Sequence, residues 1–119
     1  MKLKIKVTKE TLRKSMMCGV KDDNVGENCA IALAVREIFP KAIVGHRIYL
    51  EGDIRFIAYL PIEAKNFIRL FDSYFKTPQQ RLGLPELKFE IKVPEAYLET
   101  VDITELTSII NQSQTLELV

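Results

Sequence analysis

Charged and apolar residues alternate strictly along Lys2-Leu3-Lys4-Ile5-Lys6-Val7. A period of two predicts a half-buried strand, with Leu3, Ile5 and Val7 inward and the lysines in solvent, where they also discourage edge pairing. Thr8 is placed to cap a short helix over residues 9–17, with Leu12 and Met16 on one side. Residues 18–28 are rich in turn formers and read as a loop. The next helix runs from Cys29 to Phe39 and holds the unbroken apolar run Ala30-Ile31-Ala32-Leu33-Ala34-Val35. A helix apolar nearly all round is buried on several sides, and Pro40 ends this one. Two starts compete: Asn28 caps it directly, or Asn24 caps it with Glu27 in the capping-box position.

A hairpin follows. Ile43–Leu50 and Ile54–Leu60 flank Glu51-Gly52-Asp53, a short loop with the glycine such turns need. The alternation predicts a register in which Leu50 faces Ile54, Ile48 faces Phe56, His46 faces Ala58 and Val44 faces Leu60. That register leaves Arg47, Tyr49, Arg55, Ile57 and Tyr59 on the opposite face. Pro61 at a first helical position and Glu63 in the first turn open a helix to about residue 74, with Ala64, Phe67, Ile68 and Phe71 as its apolar stripe. Residues 77–84 read as loop. Leu87, Phe89, Ile91 and Val93 alternate with Lys88, Glu90 and Lys92, a second half-buried strand that Pro94 stops. Asp102-Ile103-Thr104-Glu105 is a capping box for a last helix with Leu106, Ile109 and Ile110 inward. From Ser113 the tail is expected to be loose, or to add an edge strand through Leu116 and Leu118.

The order β-α-α-β-β-α-β-α predicts an α+β fold of two layers, a mostly antiparallel sheet of about four strands with helices on one face. The 119 residues suit a single domain, with no repeat, linker or low-complexity segment. Apolar residues make up 47% and charged residues 28%, the balance of a folded globular protein. The net charge of +1 excludes a global field toward nucleic acid or membranes. It hides an asymmetry, however. The first residues are basic (Lys2, Lys4, Lys6, Lys9, Arg13, Lys14), whereas Glu95, Glu99, Asp102, Glu105 and Glu117 make the end acidic, so the two ends are expected to neutralise each other in the fold. Two cysteines, Cys18 and Cys29, are too few for a disulfide scaffold. With Met1 running straight into a strand pattern and no apolar run of bilayer length, the expected compartment is the cytoplasm and no membrane partner is expected.

Candidate chemistry divides three ways. Cys29 at a helix start would carry a lowered thiol pKa, and His46, the one histidine, lies on the strand that follows. That pairing of types is the minimal arrangement of a small cysteine hydrolase. Against it, a cysteine leading an apolar run is usually core, no glycine-rich turn precedes it, no third orienting residue is evident, and His46 falls on the apolar hairpin face. Cys18, Cys29 and His46 lack a close-spaced ligand pair, and the glycines never cluster, so neither a metal nor a cofactor is expected. The second candidate is nucleic-acid binding on the exposed sheet face by Lys2, Lys4, Lys6, Lys88 and Lys92, with hairpin aromatics to stack bases. The third, favoured by elimination, is a protein-binding surface of Arg47, Tyr49, Arg55 and Tyr59, since tyrosine and arginine are enriched where proteins dock. Self-association through an edge strand or the tail is compatible with all three.

Three stretches, Asn28-Cys29-Ala30-Ile31-Ala32-Leu33-Ala34-Val35-Arg36, Leu60-Pro61 through Phe67-Ile68-Arg69-Leu70-Phe71-Asp72, and Phe89-Glu90-Ile91-Lys92-Val93-Pro94, resemble short uncharacterised proteins of bacterial and bacteriophage genomes. The shared positions are mostly core-forming, so the resemblance implies a context and no site residues. Small phage and mobile-element proteins often act by binding and inhibiting a host protein, which accords with the protein-binding expectation.

Overall fold

The computed structural model describes residues 1–17, 30–71 and 78–119. Cys18, Asn28 and Cys29 lie outside them, so the helix start expected there and any role of Cys29 fall beyond the described residues. In chain order the described elements are β1 (Lys2–Val7), α1 (Lys9–Met17), α2 (Ala30–Val35), β2 (Ile43–Val44), β3 (Arg47–Tyr49), β4 (Ile57–Tyr59), α3 (Ile62–Arg69), α4 (Pro78–Leu82), β5 (Leu87–Lys92), α5 (Glu95–Leu98), α6 (Ile103–Gln112) and β6 (Leu116–Leu118).

The fold is α+β with antiparallel strand pairing throughout the described residues. Where one sheet of about four strands was expected, two three-stranded sheets form, ordered β5-β1-β6 and β2-β3-β4. Two local causes account for the difference. Gly45-His46 reverses the chain inside the expected strand Ile43–Leu50, so that β2 and β3 pair with each other through Val44 and Ile48. The tail, meanwhile, adds β6 beside β1. β4 lies next to β5, which brings the two sheets together.

In the first sheet, Leu3 faces Ile91 and Ile5 faces Phe89, all buried, while the lysines and glutamates between them point outward. The lysines of β1 do not guard an edge, contrary to the expectation from their alternation: β1 is the middle strand. Its second partner is held in place by polar anchors. The Thr115 hydroxyl, itself buried, donates to the Ala34 carbonyl at 3.0 Å. The Lys6 amide donates to the Thr115 carbonyl at 2.7 Å, and the Ser113 hydroxyl donates to Glu37 at 2.8 Å. The tail is therefore an edge strand and not a loose end. The expected neutralisation of the two chain ends is realised in part here, by the ion pair of Lys6 with Glu117.

Helix α2 packs against β1, β2 and α1, with Ala30, Ile31, Ala32, Ala34 and Val35 all buried. Its alanines leave room for those neighbours to approach. Thr8 caps α1 as expected, accepting from the Thr11 amide at 3.2 Å. The Asp102 carboxylate caps α6, accepting from the amides of Thr104 at 3.0 Å and Glu105 at 3.2 Å. Leu106 and Ile110, four residues apart on one helical face, are buried there, whereas Ile109 turns outward at 42% exposure and leaves the expected inward set. Residues 78–82, expected as loop, form a helical turn begun by Pro78, whose missing amide costs nothing at a first helical position. Pro61 sits one place outside α3 as its N-cap. Tyr97 of α5 links the layers from within the core, meeting Phe39 and Phe56 edge-on with ring centroids 5.5 and 5.4 Å away.

Candidate functional site

The outer face of β2-β3-β4 depends on a register that differs from the expected one by two residues. Ile48 faces Ala58, Arg47 faces Tyr59 and Tyr49 faces Ile57. A slip of two preserves the inward and outward sets, because side chains alternate with a period of two. Ile48 and Ala58 therefore remain buried, and Arg47, Tyr49, Ile57 and Tyr59 share the outward face. The slip lengthens the connection. Leu50 donates its amide to the Phe56 carbonyl at 3.0 Å, and the intervening residues bulge into solvent. Gly52 takes φ +81° within that turn, where a Cβ would also meet the Lys41 carbonyl at 3.1 Å.

Three expected placements change with the register, and the first is Ile54, expected opposite Leu50 but 82% exposed in the turn. Arg55 is not on the sheet; it lies in the turn, where Asp53 accepts from its amide at 3.0 Å and from its guanidinium Nε at 2.8 Å. The hydrogen bond from the Arg55 backbone is the main reason the Asp53 carboxyl is held below its usual value. His46 is exposed in the Gly45-His46 reversal and does not face Ala58. A glycine beside a polar residue favours chain reversal, and that takes the imidazole off the apolar face. The expected Cys29–His46 pair thus has its histidine on a solvent-facing turn. Among the described residues, no cluster of three His, Cys, Asp or Glu could hold a metal ion.

What the face does assemble is an aromatic–cation unit. The Arg47 guanidinium lies over the Tyr59 ring, 5.4 Å from its centroid, and the two are direct cross-strand neighbours. Tyr59 is nonetheless 67% exposed. Tyr49 and Ile57, paired alongside, are half-buried. Shortly after Tyr59 in the chain, the apolar Ile62 is 69% exposed and was not among the expected surface residues. Its signal was available: it lies off the Ala64-Phe67-Phe71 stripe, on the far side of α3.

The outer face of β5-β1-β6 is built differently. Lys2 faces Lys92, Lys6 faces Lys88, and Lys4 sits between Glu90 on one side and Glu117 on the other. The hydrogen bond from Lys6, aided by the Lys6, Lys4 and Lys88 charges, holds the Glu117 carboxyl below its ordinary value. No aromatic side chain points outward from these strands. The expected basic-aromatic face is therefore divided, with lysines on one sheet and tyrosines on the other.

A polar cleft of about 290 Å³ opens beside the start of α1, lined by residues that include Lys9, Glu10, Thr11, Lys14, Glu37 and Thr115. Several of its charged groups are already engaged. Lys9 donates to the Leu82 and Leu84 carbonyls at 3.0 and 2.5 Å, Lys14 pairs with Glu10 at 3.8 Å, and Glu37 accepts from Ser113. No described helix is long and apolar enough to cross a membrane. No family model, curated protein or solved structure matches the chain.

Proposed function

We propose that the protein is a small, non-enzymatic protein-binding module that docks its partner on the outer face of β2-β3-β4. The observation that carries this reading is the Arg47–Tyr59 stack, a largely exposed ring held by the guanidinium of its cross-strand neighbour. Tyrosine and arginine dominate binding energy where proteins meet, because each offers a broad apolar face with a polar end. A pair already ordered in the free protein gives up less side-chain freedom on docking. Tyr49 and Ile57 extend the apolar part of the face. The resemblance to short bacterial and bacteriophage proteins supports a phage or mobile-element origin, with a host factor in the cytoplasm as the target to be inhibited.

Affinity capture from a bacterial lysate tests the reading. Wild-type protein and the Arg47→Ala/Tyr59→Ala variant, both checked for unchanged circular dichroism, are compared by quantitative mass spectrometry. A protein enriched by wild type and lost with the variant is the expected outcome. Equal capture by the two would remove the face from consideration.

A further inference from the structure

We propose that the outer face of β5-β1-β6 binds the phosphate backbone of double-stranded nucleic acid. The strand register is what makes this more than a solvated surface. It sets Lys2 directly opposite Lys92 and Lys6 directly opposite Lys88. Like charges in directly opposed positions destabilise a sheet. An ordinary solvent face would gain by placing a carboxylate at one member of each pair, and the chain does place glutamates on this face. Both of them, Glu90 and Glu117, flank Lys4 in the middle row; Glu117 also pairs with Lys6, while the Lys2–Lys92 row is left doubly positive. Five lysines therefore meet two carboxylates. Of the five, Lys6 alone among the described residues has an ion pair, with Glu117. Lys2, Lys88 and Lys92 are exposed.

The geometry suits regularly spaced point charges. Same-face positions on a strand recur about every 7 Å and neighbouring strands lie about 5 Å apart, so the four outer lysines mark a rectangle of roughly 5 by 13 Å. Lysine ammonium groups act as point-charge phosphate binders. A nucleic-acid duplex presents its phosphates on the outside, with one negative charge per roughly 1.7 Å of axis. A single strand is held chiefly by stacking its bases on aromatic rings, and none projects from this face. Charge complementarity without stacking favours the duplex, bound without regard to sequence. This surface shares no residue with the hairpin face, so the two readings fail independently.

Fluorescence anisotropy of a labelled mixed-sequence DNA duplex, titrated with full-length protein over a range of salt concentrations, tests the proposal. Lys2, Lys4, Lys88 and Lys92, which have no ion pair among the described residues, predict a log–log salt slope of roughly −3 to −4. Replacing Lys2, Lys88 and Lys92 by Gln should flatten that slope by roughly three units. Glu90→Gln, which removes a carboxylate and leaves every lysine in place, should tighten binding, a gain that misfolding cannot produce. Arg47→Ala/Tyr59→Ala should bind the duplex as wild type does. The proposal is overturned by no binding at low salt, by a slope indifferent to the triple Gln variant, or by tighter binding of the single strand. Binding to phosphatidylserine vesicles in place of the duplex would overturn it as well.

Discussion

The two sheets solve the same problem with opposite means. In β5-β1-β6, strands drawn from the beginning and the end of the chain pair, β1 with β5 over six residues and with β6 over three, and the outer face carries charge alone. In β2-β3-β4, strands of two or three residues are joined by short reversals, and the outer face mixes arginine, tyrosine and isoleucine. The first sheet ties the chain together; the second presents a surface. A charged face is well solvated and costs little to leave in water. A face with an exposed tyrosine beside a half-buried tyrosine and isoleucine gains most when something covers it. The contrast is why the proposed protein-docking role falls on the second sheet, while the first carries the longer strand pairing.

The contrast can be broken most forcefully at its structural end. Ile5 is fully buried at the centre of β1, facing Phe89 on one side and Leu116 on the other. Ile5→Ala should cost about 2–5 kcal/mol, read as a lower denaturant midpoint, through lost burial and the cavity left behind. A loss under about 1 kcal/mol would mean that the first sheet does not organise the core.

A smaller effect of opposite sign should come from the like-charged pair. Lys92→Glu places a carboxylate opposite Lys2 and should stabilise the fold by about 0.2–1 kcal/mol. It should at the same time weaken binding to a DNA duplex. Stabilisation with duplex affinity unchanged would separate the charge pattern from any role in binding.

The smallest effect concerns pH. The folded-state carboxyl of Glu117 lies below its ordinary value of 4.5, chiefly through the hydrogen bond from Lys6. A lowered carboxyl contributes stability above the unfolded value and loses it as pH falls through the folded one. Because Glu117 is exposed, the loss should be slight. Lys6→Gln should flatten the acid limb of the stability curve; an unchanged limb would show that the pair is open in solution.

The sequence made the first sheet easier to read than the second, for a physical reason. Leu3, Ile5 and Val7 alternate with lysines, and Phe89 and Ile91 alternate with charged residues, so each strand declares its own inner face. The same alternation could not choose between hairpin registers. Pairings that differ by two residues keep each paired side chain on the same face, so facing Ile48 with Phe56 or with Ala58 looked equivalent along the chain. What decided it was local: Gly45-His46 could reverse the chain early, and Asp53 could hold Arg55 in the turn. That is why Arg47, Tyr49 and Tyr59 stayed on the expected face, while Arg55 left that face for the turn and His46 left the apolar one. The anchoring of β6 was hidden because it depends on Thr115 reaching Ala34, a contact across most of the chain. The helical turn after Pro78 and the outward Ile109 were local errors of a single turn.

The most direct test of the proposed docking face is calorimetric titration of the captured partner against wild type, Tyr59→Ala and Lys92→Gln. If the Arg47–Tyr59 stack anchors the interface, Tyr59→Ala weakens binding by about 2 kcal/mol or more, roughly thirtyfold, with melting temperature unchanged and with Lys92→Gln indistinguishable from wild type. Equal affinity for wild type and Tyr59→Ala, or a loss confined to Lys92→Gln, would contradict the account.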